Sequence, residues 1–195
     1  MLAAAPAATA FAQGAGPIAP ITALNDGLLQ VMRAGKATPF AVRMAILTPI
    51  VQSSFDLMQI LQNSIGPARW PSIVGQQRTD LMDVFTQFTV ASYVANFDSF
   101  NGEKFVIAPD LRTIGADQVV QTRIMGSAGE ATRLDYVMRQ SAAGWQVVDV
   151  LLDGTISRVA VTRSDFRALL GDGNAARLID SLRGKVAGLA AGAAP

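Results

Sequence analysis

VVQTRIMGSAGEATRLDYVMRQSAAGWQVVDVLLDG, residues 119–154, alternates apolar and polar side chains with a period of two. Val120, Thr122 and Ile124 fall on one side of an extended chain, and Gln121 and Arg123 on the other. Leu134, Tyr136 and Met138 repeat the pattern against Arg133, Asp135 and Arg139, and Phe105 and Ile107 carry it upstream. Ser127-Ala128-Gly129 and Ala142-Ala143-Gly144 fit hairpin turns, so the strands are expected to be antiparallel neighbours. One face of the resulting sheet is apolar and the other wet. The last strand, Trp145 to Leu152, is apolar on both faces apart from Gln146 and Asp149, as expected of a strand covered on both sides.

Outward from this stretch the spacing becomes helical. Upstream, Leu24, Leu28, Val31 and Met32 make one face of a helix closed by Gly35. Thr38-Pro39 starts a second, with the stripe Phe40, Met44, Leu47 and Val51 and an expected kink at Pro49. Phe55, Met58, Ile60 and Leu61 form a short third helix ended by Gly66-Pro67. A long amphipathic helix runs from about Ser72 and turns Leu81, Val84, Phe85, Phe88 and Ser92 to one side. Asn101-Gly102 marks the change to strands. Downstream of Asp153-Gly154, Ile156, Val159, Phe166, Leu169 and Leu170 return to helical spacing. A last helix carries Ala176, Leu178, Ile179, Leu182 and Val186 before an Ala/Gly tail expected to fray. The fold class expected is α+β: a curved antiparallel sheet, about 103–153, wrapped by helices from 21–100 and 155–188. Such a sheet either packs solidly on its helices or leaves room for a ligand.

Composition restricts the chemistry. With no His and no Cys in 195 residues, a Ser-His-Asp triad, a Cys-His pair and a His- or Cys-ligated zinc or haem are all excluded. No disulfide can staple the fold, which must stand on its own core. Hydrophobic residues are 50% of the chain and charged ones 16%, against about 25% in ordinary soluble domains. A net charge of +1 with scattered cations speaks against a nucleic-acid partner. No metal and no cofactor are expected.

No charged residue precedes Asp26, and MLAAAPAATAFAQG ends in a small-residue Ala-Phe-Ala step before Gln13. Residues 1–12 are therefore expected to be a signal-peptide remnant and 13–195 a single domain, a monomer exported to the periplasm. Pro6, Gly14, Gly16, Pro17 and Pro20 interrupt the leader too often for a membrane span of about 20 apolar residues.

FTVASYVANFDSFNGEKF (Phe88–Phe105), GWQVVDVLLDG (Gly144–Gly154), TISRVAVTRSDFRALL (Thr155–Leu170) and FDLMQILQNSIGPARW (Phe55–Trp70) together resemble the MlaC-type (toluene-tolerance) periplasmic lipid carriers. The nearest resemblance is to the hopanoid-associated HpnM branch. It implies an NTF2- or cystatin-like sheet wrapped by helices around a deep apolar cavity. It implies a shuttle that carries a hopanoid or phospholipid between membrane-anchored partners of the inner and outer membranes, and that catalyses no reaction.

The candidate lipid-binding set is Leu47, Val51, Leu81, Phe85 and Phe88 from the helices, facing Val120, Ile124, Leu134, Tyr136, Met138, Trp145, Val148 and Val150 from the sheet. Each of these is equally at home in a packed core, since buried aromatics and aliphatics usually are core. Met58, Met82, Met125 and Met138 suit an adaptable lining. Asp149, set in an apolar strand, is the residue most like a catalytic acid or base. Against that stands the commoner role of accepting hydrogen bonds from a neighbouring loop. Arg163 and Asp165 read as helix-start and surface pairing residues, Ser157 has no His to activate it, and Gly126, Gly129, Gly144 and Gly154 belong to turns. The alternatives to a carrier are an enzyme of NTF2-like fold using Asp149, and an adaptor with a solid core that binds only proteins.

Overall fold

The computed structural model describes residues 16–127, 129–171 and 173–193. The expected leader, residues 1–12, lies outside them. Four helices come first: α1 (Ile18–Ala34), α2 (Phe40–Ser54), α3 (Leu57–Ile65) and α4 (Gly75–Asn96), with a 3-10 turn at Trp70–Ser72. Six strands follow: β1 (Lys104–Ile107), β2 (Arg112–Ile114), β3 (Asp117–Met125), β4 (Ala131–Ser141), β5 (Gly144–Leu152) and β6 (Ile156–Ser157). The chain then forms α5 (Arg158–Arg167) and α6 (Ala176–Ala190). The fold is α+β, an open antiparallel sheet in the order β1-β3-β4-β5-β6, with β2 beside β1 on the same edge of β3.

Local chemistry explains most element ends. Gly35, with φ 63°, closes α1, and Gly66, with φ 100°, closes α3. The Asp56 carboxylate caps α3 by accepting from the Gln59 N–H at 2.9 Å. Gly144, φ 99°, makes the β4–β5 hairpin. Gly27 lets α1 and α2 close up, because a Cβ there would stand 2.5 Å from Ile50 Cδ1.

Four expectations are corrected. Pro39 stands at the N-cap of α2, outside the helix rather than at its first helical position, and Pro49 lies inside the helix on its exposed side. Ile156 is half exposed in the short strand β6, and helix begins two residues later at Arg158, so Arg163 is a mid-helix residue. Its Nε donates to the Asn63 carbonyl at 2.7 Å and ties α5 to α3. α6 is helical to Ala190 with Leu189 buried, two residues beyond the expected end at about 188. Finally, β4 and β5 change register between Val137 and Met138. Val137 pairs with Asp149 and Met138 with Val147, so Val148 is the extra residue of a bulge. Val147 joins the core with Tyr136 and Met138, while Val148 is buried outside that cluster.

The core lies between the inner sheet face and the helices. Leu24, Leu28, Leu47, Val51, Leu81, Tyr136, Met138, Leu178 and Leu182 are all essentially inaccessible. On the outer face the Asp135 carboxylate is wholly buried and is gripped by both ends of the Arg133 fork, at 2.9 and 2.7 Å. That bond holds the Arg133 guanidinium above its ordinary pKa. No helix of the described residues is long and apolar enough to cross a membrane.

Candidate functional site: an apolar cavity on half of the sheet

The helices do not cover the inner sheet face uniformly. At the Met138–Val147 end, the corner between α2 and α3 docks directly on β5. The Asp56 N–H donates to the Val147 carbonyl at 3.0 Å, and Gln146 Nε2 reaches the Ser53 and Phe55 carbonyls at 3.3 Å. That half is solid core. Toward the β3–β4 hairpin the helices stand off, leaving a cavity of about 660 Å³. This lies within the usual range for ligand sites, roughly 300–1,000 Å³.

The cavity floor is Ile124, Thr132, Leu134, Val150 and Leu152 of the sheet. One wall is the C-terminal half of α4, where Phe85, Phe88, Thr89, Ser92, Tyr93, Asn96 and Phe97 fall on a single side at steps of three and four. Phe55, Leu57 and Ile60 close it from the α2–α3 corner, and Arg158, Val159 and Thr162 from α5. An aromatic row stiffens the wall: Phe55 to Tyr93 at 5.7 Å, Tyr93 to Phe97 at 6.1 Å, Phe97 to Phe105 at 6.0 Å between ring centres. Buried Arg43 fixes the end of α4 by donating to the Val94 carbonyl at 3.1 Å. The Phe85 ring is held edge-on by Phe166 of α5 at 6.3 Å.

The polar groups of the lining are mostly occupied. Thr89 and Ser92 donate to carbonyls of their own helix, 2.8 Å away in each case. The Glu103 carboxylate accepts from the Asn101 N–H, and this bond holds its pKa below the ordinary glutamate value. Asp149 accepts from the Val150 and Val159 N–H groups at 2.8 and 3.1 Å, and from the Ser157 hydroxyl. All three donors belong to β5 or to the start of α5, where Ser157 caps the helix. Beneath the wall, the Tyr136 hydroxyl is buried beside the Tyr93 phenol. Burial pushes both phenols well above the ordinary tyrosine range. The described residues include no cluster of acidic side chains arranged to hold a metal ion.

Of the residues singled out in the sequence, Phe85, Phe88, Ile124, Leu134 and Val150 line the cavity together. Leu47, Val51, Leu81, Val120, Tyr136 and Met138 sit in the solid half, and Trp145 packs at the far end of the sheet. Val148 leaves the face altogether through the bulge. Periodicity fixes which face a side chain occupies but carries no information on how far along a strand the helices remain in contact. Among the methionines, Met32 lines the cavity, Met58 is exposed and Met138 is core. Tyr93, Ser92, Asn96 and Phe97 continue the spacing of Phe85 and Phe88, a signal present in the sequence but followed only as far as Ser92.

The fold is similar to that of a phospholipid-binding protein from Ralstonia solanacearum, solved in complex with a phospholipid. The TM-score is 0.75 at 21% sequence identity, over 90% of this chain and 99% of that one. No curated protein matches the chain. The family model described as MlaC protein matches residues 22–184, and the chain belongs to that family.

Proposed function

We propose that this protein is a periplasmic carrier that takes up a lipid, a phospholipid or a hopanoid, in the cavity between its sheet and α4. It passes the lipid between membrane-anchored components of the inner and outer membranes and acts as a monomer, without catalysis. The carrying observation is the apolar cavity itself, built on a sheet whose other half is densely packed. A core that fills one half of a face could fill the whole of it. The open half is bounded by aromatics that pack on one another, so the space does not depend on mobile side chains. Membership of the MlaC family and the phospholipid in the similar Ralstonia protein point the same way.

The physical need is clear. Each methylene brought out of water contributes about 0.8 kcal/mol, so two chains of roughly fifteen carbons face a barrier on the order of 20 kcal/mol to crossing an aqueous gap. A carrier removes that barrier by offering comparable burial. Asp149 favours no enzymatic reading, because its carboxylate is committed to the backbone of α5 and to its cap. The test is to strip the protein of lipid, incubate it with vesicles of phosphatidylethanolamine and phosphatidylglycerol, re-isolate it and assay bound phosphorus. Stoichiometric phospholipid supports the carrier. Protein that returns empty from these vesicles and from vesicles containing hopanoid contradicts it.

A further inference from the structure

The cavity crosses the sheet from one edge to the other, and its two ends differ in charge. Glu103 directly precedes β1 and Arg158 directly follows β6, the two ends of the strand order. The lining carries three charged side chains, Glu103, Asp149 and Arg158. Both carboxylates already accept backbone N–H groups, Glu103 from Asn101 and Asp149 from Val150 and Val159. The Val159 and Ala160 N–H groups at the start of α5 are likewise taken, by Asp149 and the Ser157 hydroxyl. Arg158 differs from both acids: its guanidinium makes no ion pair and no hydrogen bond among the described residues, and the residue is exposed at the cavity wall. Behind it lies the Tyr93 phenol, close enough that the guanidinium opposes part of the upward push that burial exerts on its pKa. A cation at the rim above an apolar floor is the order of an amphiphile's phosphate and its chains.

We propose that Arg158 seats the phosphate of the cargo's headgroup at the β6 end of the cavity, so that the protein selects phosphate-bearing amphiphiles over neutral ones with the same chains. This rests on the carrier reading above. A planar guanidinium presents paired donors that match two phosphate oxygens, and the charge-assisted bonds that result are the strong ones. A neutral lipid would bury the same chains and leave this exposed cation to water, without the charge-assisted bonds.

The test compares dioctanoyl phosphatidylglycerol with dioctanoylglycerol on delipidated protein, which isolates the phosphate headgroup from the chains. The wild type is expected to prefer the phospholipid by about tenfold or more. Arg158→Gln should bring that preference to within about twofold, and Arg158→Lys, which keeps the charge but not the fork, should fall between. Arg167→Gln, on the same helix but away from the cavity, should leave the ratio as it is. Glycerol 3-phosphate alone should not bind at millimolar concentration. If it binds as tightly as the phospholipid, the site is a free-anion site and the headgroup assignment is wrong. An unchanged ratio in Arg158→Gln, or equal wild-type affinity for the two lipids, overturns the role of Arg158 while the carrier reading stands. Failure of the wild type to bind either lipid overturns the role of Arg158, and the carrier reading is overturned with it when the protein also returns empty from phospholipid and hopanoid vesicles.

Discussion

The Asp149 carboxylate of β5 accepts the backbone N–H of Val159, 3.1 Å away in the first turn of α5. This bond joins the sheet to the helix that closes one end of the cavity, since Asp149, Val150 and Val159 all border the same space. A negative group at a helix N-terminus is favourable both as a cap and through the helix dipole.

Asp149→Asn should therefore be a stability variant. The amide retains one acceptor for Val159 but loses the charge and the second acceptor that Ser157 uses, which should cost about 1–3 kcal/mol. Urea denaturation of lipid-free protein measures the loss, and bound lipid after extraction should remain close to the wild-type amount. An enzymatic turnover abolished by this substitution would restore the acid/base reading of Asp149.

Val147 and Val150 flank the bulge on one strand and separate solid core from cavity. Val147→Trp should overpack the interior and cost about 1–3 kcal/mol or more, because Val147 is fully buried against Tyr136 and Met138. Val150→Trp should be tolerated by the lipid-free fold, since the ring can occupy cavity volume, and should exclude cargo. Thermal midpoints of the delipidated variants, set beside their lipid content, distinguish the two. A Val150 variant as unstable as the Val147 variant would show that the cavity does not extend over β5.

The chain has only 2 tyrosines, Tyr93 and Tyr136, and burial raises the pKa of both. In the unfolded chain they ionise near the ordinary value of about 10. Above that pH the unfolded state has lost protons that the folded state retains, so stability falls with rising pH. It is intact below about pH 10 and is lost as pH climbs from there toward the folded-state values. Absorbance at the phenolate band should thus stay flat in the native protein past pH 10 and rise only together with loss of the far-ultraviolet helix signal. Phenolate appearing in a still-folded protein at the ordinary value would show that the tyrosines are open to water.

Much of this architecture was legible in the sequence because its two periodicities are clean. Val120, Thr122 and Ile124 against Gln121 and Arg123 identify a half-buried strand, and Gly35 and Gly66 punctuate the helices where the structure ends them. β2 leaves no signal in the sequence because Arg112-Thr113-Ile114 is three residues long, exposed throughout and too short to show alternation. The bulge was invisible for a different reason. Val147-Val148-Asp149-Val150 carries apolar residues on both faces, so a register slip leaves no trace in the pattern. The site was half legible: Phe85, Phe88, Ile124, Leu134 and Val150 lie on predicted apolar faces, but so do Leu47, Val120 and Met138, which pack solidly. Where the α2–α3 corner clamps β5 through Val147 is a tertiary event, set by Asp56 and Gln146 meeting partners over ninety residues distant.

Native mass spectrometry of the protein as purified from a membrane-containing host, set beside its Val150→Trp variant, reads the occupancy of the cavity. The wild type should carry an added mass that organic extraction identifies as lipid, and the variant, folded to the same charge-state distribution, should fly without it. A wild-type protein at its bare polypeptide mass that also fails to load from vesicles, or a lipid adduct that persists undiminished in the variant, would contradict a lipid site in this cavity.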